Sequence, residues 1–240
     1  MMKKSLSIIA AALLSLSIFA EGSKEYVTQE INANDRCLPT FYESILKKWN
    51  FELGWKDGNA KKWKKAGLAK AKELIIQNED KTPFDMVVIA EEQREGYKAQ
   101  KVVFNISEES RVLAYLLIPD GGSKYPAALM LHDHGSKFVI GKEKMVKPFG
   151  DTEADAKKLE EAEKWSVKYF GGQFPGDELA KRGYVVLSFD ALGWGDRSVP
   201  DFKTASQQSL GSNLFNMGTS FAGIIAQEDV RAAKFLASLP

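Results

Sequence analysis

The chain has 240 residues, 44% of them hydrophobic and 27% charged, an ordinary globular composition with length enough for one domain and a sizeable core. Its 33 basic and 32 acidic residues nearly cancel, which gives no reason to expect nucleic acid or an anionic membrane as partner. Small neutral substrates remain the open class.

Residues 1–20 have the pattern of a secretory signal peptide. Lys3 and Lys4 give a positive start, an apolar run extends from Leu6 to Phe19, and Ala20, or the Ala20-Glu21-Gly22 triplet, offers a small-residue cleavage site. The run is short for a spanning helix, which needs about 20 apolar residues. The mature chain is therefore expected to be secreted or periplasmic, without stable membrane insertion. Cys37 is the only cysteine, so there is neither an internal disulfide nor a metal-ligand spacing, and it reads as a small buried hydrophobe.

Residues 21–96 read as an N-terminal helical extension. Pro39 precedes Phe41, Tyr42, Ile45, Leu46 and Trp49 at helical spacing. A second helix is predicted over 60–77, with Trp63, Gly67, Ala71, Leu74 and Ile75 on one stripe. Lys61, Lys62, Lys64, Lys65, Lys70 and Lys72 lie between them as a solvated face. Trp49, Trp55 and Trp63 are expected to pack onto the main domain. The alternative is that they line a sugar-binding cleft.

From residue 97 the period becomes two. Residues 98–118 predict an antiparallel hairpin turning at 107–110, and Pro119 ends it. Pro126–Leu131 is a continuous apolar run of the kind buried on both faces of a parallel sheet. A polar excursion follows, with a helix predicted over 153–164. A helical turn at 178–182 then leads into a second buried strand, 184–189. Residues 221–239 form a strongly apolar helix, with Thr219 or Ser220 as its N-cap. Two buried strands joined through a helix make residues 97–240 an α/β unit with a mostly parallel sheet.

Chemistry in an open α/β sheet collects at the carboxyl ends of the strands. The first buried strand runs into His132-Asp133-His134-Gly135-Ser136, which contains both histidines of the chain. A His-Gly turn at this point lets backbone N–H groups face a developing oxyanion while the imidazole buttresses the loop. A metal pair on His132 and His134 is the rival reading. It needs three or more ligands, and only Asp133 or Asp190 could complete the set. A loop of hydrogen-bonded histidines with no catalytic part is the third. The second strand runs into Asp190-Ala-Leu-Gly-Trp-Gly-Asp-Arg-Ser198, a turn that Asp190 is expected to brace. It lacks the third glycine of a dinucleotide fingerprint and the lysine of a phosphate loop, so no cofactor is expected.

Taken together, HDHG within 126–136, GKEKM at 141–145, LAKRGYVVLSFDALGWGDRS at 179–198 and QEDVRAAKFLASLP at 227–240 resemble the α/β-hydrolase superfamily. Within it, the likeness is to dienelactone-hydrolase-like and acetyl-xylan-esterase-like carboxylesterases. The resemblance covers about 98–240, more loosely 38–78. It implies the α/β-hydrolase fold, hydrolysis of a small-molecule or polysaccharide ester through an acyl-enzyme, and an oxyanion loop at His134, Gly135 and Ser136, braced by His132 and Asp190.

Such enzymes carry serine on a G-x-S-x-G elbow, followed in chain order by an acid and a histidine. No G-x-S-x-G occurs here, and Gly218-Thr-Ser220-Phe-Ala-Gly223 is one residue too long. No histidine follows residue 134, so neither histidine fits the triad. None of the triad is present, and the chain reads as an N-terminal part that stops before the nucleophile strand, inactive on esters by itself. By the family's strand order, 126–131 would lie beside 184–189 with its other side open, a long apolar edge. The remaining alternative is a non-catalytic carbohydrate-binding protein using the aromatic residues of 41–63 and Trp194.

Overall fold

A computed structural model describes residues 39–240 apart from positions 57, 77, 78 and 123. The signal-peptide pattern of 1–20 and Cys37 lie outside the described residues. The chain divides into two compact units, 1–63 and 64–240.

In the first unit, α1 covers Pro39–Lys48. Helix α2, Ala60–Ile75, starts there and runs into the second unit. Asn59 opens α2 by accepting the Lys62 N–H on Oδ1 at 3.0 Å, a capping bond that satisfies one of the orphan donors of the first turn. The helix buries no residue. Its lysines are exposed, as a solvated face requires.

The second unit is built on five strands: β1 (Val87–Arg94), β2 (Tyr97–Asn105), β3 (Arg111–Pro119), β4 (Ala127–Met130) and β5 (Val185–Phe189). Their order is β1-β2-β3-β5-β4, with β4 parallel to β5 and every other pairing antiparallel. The predicted hairpin is β2–β3. The two apolar runs are the parallel neighbours β4 and β5, joined through α3 (Glu153–Phe170) and α4 (Pro175–Lys181); β5 is buried, whereas β4, expected to be buried on both faces, is half-buried or exposed. A polar α5, Thr204–Asn216, and the long α6, Phe221–Ser238, complete the unit.

Four expectations need correction. The sheet is mostly antiparallel among the described residues, not mostly parallel, because β1, β2 and β3 form a meander and β3 meets β5 antiparallel, leaving β4–β5 as the parallel pair. The sheet begins before residue 97, because 87–94, read as part of a helical extension, forms β1. Its residues are mostly exposed and its last half, Glu91–Arg94, is polar, so an edge strand here lacks the alternation that marks β2. Helix α3 continues past 164, because Trp165 and Ser166 keep its buried face going until Gly171 turns left-handed at φ 63°. The open edge β4 is in place but short, four residues that are mostly half-buried. Pro126 before it lacks an N–H, and the chain turns away at His132.

Alternation along the strands sends side chains to two faces. Val102, Phe104, Val112, Leu116, Leu187 and Phe189 pack with Phe235 and Leu236 of α6 on one side. Tyr97, Ala99, Tyr115, Leu117 and Val186 pack with Ala180 of α4 on the other. Phe104 stacks on Phe235 with centroids 4.0 Å apart. Each such side chain, fully buried, contributes about 1.5–3 kcal/mol. Ser220 caps α6 by accepting the Gly223 N–H at 2.9 Å. This packing fixes the carboxyl ends of β4 and β5 side by side.

Candidate active site

The loops leaving β4 and β5 meet at the sheet's carboxyl end. His132 reaches across, and its Nε2 accepts the Ala191 N–H at 3.0 Å. A backbone amide can only donate, so Nε2 carries no proton. Nδ1–H then donates to the Asp133 carbonyl, also at 3.0 Å. Burial lowers the His132 pKa, against the carbonyl contact and the Asp190 charge, and keeps this neutral ring in place.

His134 takes the opposite tautomer. Its Nδ1 accepts the Ser136 N–H at 3.1 Å, so Nε2–H donates to Gln207 Oε1 of α5 at 2.6 Å. Its carbonyl accepts from Lys144 Nζ and from Trp194 Nε1, both at 3.1 Å. Gly135 and Ser136 are consecutive left-handed residues, at φ 48° and 50°. Glycine is required at the first, since a Cβ there would come 2.3 Å from the Trp165 ring. The Gly135 N–H donates to no protein group among the described residues, whereas the Ser136 N–H is held by His134. Of the two donors expected from the sequence, one is therefore unengaged and one is engaged.

Beneath the loop lies a buried charge cluster. Lys142 is wholly buried, with Nζ 2.7 Å from Asp190 Oδ2, 2.5 Å from Asp196 Oδ2 and 2.9 Å from Glu143 Oε1. The Lys142 N–H donates to Asp190 Oδ1 at 2.7 Å, and the Asp196 N–H to Asp190 Oδ2 at 2.9 Å. Burial opposes the Lys142 ammonium, but Asp190 and Glu143 outweigh it and hold its pKa well above the ordinary lysine value. A Cβ on Gly141 would sit 2.3 Å from Asp190 Oδ1 and 3.0 Å from His132 Nε2. That glycine lets the braces of both loops close on one point. Asp190 thus holds backbone N–H groups from both loops, and the Arg197 guanidinium adds a bond to its carbonyl while gripping Glu228 of α6 at 2.6 Å through both terminal nitrogens.

The geometry does not favour the metal reading of the histidines. Each ring has one lone pair, and in both it accepts a backbone N–H. Glu143, Asp190 and Asp196 do bring carboxylate oxygens within 4.8 Å of one another, but the cation at their centre is Lys142 Nζ. Trp194 cannot line a sugar cleft, because it is buried against Phe138 with centroids 5.1 Å apart and packs edge-on to His134. Of the aromatic residues put forward with it, Tyr42, Trp49, Trp55 and Trp63 are exposed, and Trp55 and Trp63 pack edge-to-face.

Lys142, Glu143, Lys144 and Gln207 are parts of the site to which the sequence assigned no role. The GKEK string carries part of the family resemblance, but nothing in the residues themselves says that its lysines and glutamate are buried. Its only local signal is the apolar flank, Val139-Ile140 and Met145-Val146.

Comparison with known proteins gives a fold. No protein-family model matches the sequence, and no curated protein matches it. Among solved structures, the chain is similar to a Bacteroides fragilis protein described as a "putative acetyl xylan esterase", with TM-score 0.64 and 19% identity. The match covers 83% of this chain and 50% of the other, so the chain spans about half the length of that protein.

Proposed function

We propose that the chain is the N-terminal half of an exported carboxylesterase of the α/β-hydrolase type. Its substrate would be a small-molecule or acetylated polysaccharide ester. The observation that carries this reading is the His134-Gly135-Ser136 turn at the carboxyl end of β4, with a backbone N–H directed to no protein partner. A donor already oriented before the substrate arrives needs no reorganisation as charge develops on the carbonyl oxygen, which is why such holes lower acyl-transfer barriers by several kcal/mol. Gly135 N–H would be the first donor, and Ser136 N–H the second once it leaves His134.

The nucleophile, its acid and its histidine would come from a further segment whose leading strand pairs with the open side of β4. Support for this comes from an edge of β4 that no strand pairs among the described residues, the missing G-x-S-x-G and a matched structure twice as long as the match. That strand would bring its serine beside the Gly135 N–H. Export rests on the signal-peptide pattern of residues 1–20.

Fluorophosphonate labelling tests the reading. The 240-residue chain should not label, and the product of the reading frame continued past Pro240 should label on a G-x-S-x-G serine. Labelling of the 240-residue chain itself, or a continuation without that motif, would overturn it. A second reading, carbohydrate binding without catalysis, draws on the exposed Tyr42, Trp49 and Trp55. Retention on xylan by a continued product that fails to label would favour it.

A further inference from the structure

The engaged Ser136 N–H has a controlling partner. His134 can hold that N–H only while Nδ1 is unprotonated, since a ring with Nδ1–H would put two donors face to face. In the neutral ring the proton must then be on Nε2, and at 2.6 Å from Nε2 lies Gln207 Oε1. Gln207 is an acceptor on α5, 73 residues away in sequence and half-buried. No other hydrogen bond to the ring is present among the described residues. The rest of His134 is fixed from below, its carbonyl by Lys144 and Trp194 and its ring edge-on to Phe138 and Trp194. The ring's proton position is thus the one freedom left at this residue.

We propose that Gln207 is a positioning residue whose oxygen, by accepting the Nε2–H, reinforces the His134 tautomer that the Ser136 N–H selects, and so helps withhold that N–H from the oxyanion position. Helix α5 then acts as the control element of the loop. Displacing it removes the Nε2–H acceptor, weakens the preference for that tautomer and loosens the hold of Nδ1 on the Ser136 N–H. His132 is the internal reference, because its proton is held on the other nitrogen by Ala191 and Asp133. The inference rests on the esterase reading only for the use made of the freed N–H.

The chain contains two histidines, so nitrogen NMR of the full chain, ring-labelled and without a histidine tag, reads both tautomers directly. The native chain should show one ring protonated on Nδ1 and the other on Nε2. In Gln207→Leu the second ring should become a mixture of tautomers, and Ser136 amide exchange should quicken by about fivefold, as expected for loss of one hydrogen bond. Gln207→Glu keeps an acceptor oxygen at the same reach and should keep the Nε2–H. Gln207→Ala, which adds no bulk, gives the same readout as the leucine variant if that one fails to fold. Two native rings of the same tautomer would overturn the proposal, and so would an unchanged His134 ring and unchanged Ser136 protection in the leucine or alanine variant. None of these readouts depends on ester hydrolysis, so they fail independently of the esterase reading.

Discussion

Two neighbouring regions at the end of the sheet solve opposite problems. The Lys142 cluster is closed. Its ammonium meets three carboxylates at 2.5–2.9 Å, and the Asp190 oxygens are also taken up by two backbone N–H groups. The His134-Gly135-Ser136 turn above it is exposed, holds two left-handed residues in succession and keeps one N–H without a protein partner. A buried network whose ammonium and Asp190 oxygens are all engaged gives rigidity, although Glu143 Oε1 is held by ion pairing without a hydrogen bond. A strained, exposed turn with an unused donor is costly by itself and persists because what lies under it is rigid. The contrast teaches that the brace and the site are separate parts, so perturbing each should give a different kind of loss.

The largest effect is expected from Lys142→Met. It strands Asp190 and Glu143 as buried carboxylates without their main counter-charge, which should destabilise the fold by roughly 3–5 kcal/mol. Urea unfolding followed by tryptophan fluorescence checks this, and a loss below about 1 kcal/mol would mean that the cluster is not the brace described. Gly135→Ala comes next. Its Cβ would press on the Trp165 ring at a left-handed φ, a cost of about 1–3 kcal/mol. The same titration, with amide exchange of residues 133–137, should place the damage in the turn and leave the Lys142 cluster closed.

A smaller effect concerns pH. Burial, with the Glu228 charge beside it, pushes the Asp229 carboxyl up to about 6. The folded chain therefore binds this proton more tightly than the unfolded chain, whose aspartates titrate near about 3.9. The ionisation penalty is absent below about pH 4 and complete above about pH 6, so this group erodes stability as pH rises through that window. Asp229→Asn should raise the Tm by about 2–4 °C at neutral pH. The two Tm values should converge near about pH 4, and equal Tm values at both ends would refute the assignment. Ser136→Gly should change least, a gain of about 0.5–1 kcal/mol from relief of the left-handed strain set against glycine's entropy. Thermal melts at neutral pH are enough to read it.

How much of this was legible in the sequence follows from where the signal is local. Strands β2, β3 and β5 and helix α6 announce themselves through period-two or continuous apolar runs, because each buries a face along its own length, and β4 shows as an apolar run although it is only half-buried. Strand β1 and helix α5 do not, the one an exposed edge and the other rich in Gln and Ser with only Leu214 buried. The HDHG turn was visible because its glycine and histidines are adjacent. The grip of Lys142 on Asp190 spans 48 residues and that of Gln207 on His134 spans 73, distances over which no periodicity carries information. Buried lysines also contradict the rule that charges are solvated. They become possible only once the fold has brought carboxylates to meet them.

The central claim is that the turn after β4 is the oxyanion side of an ester-hydrolysing site completed by a strand on β4's open edge. The direct measurement is fluorophosphonate labelling of the product of the reading frame continued past Pro240, in the native form and with Gly135→Ala. The account predicts labelling on a G-x-S-x-G serine in the native product, and labelling at least about tenfold slower in the variant, as for loss of an oxyanion donor's geometry. A native product that does not label, or a Gly135→Ala variant that folds and labels at the native rate, would contradict it.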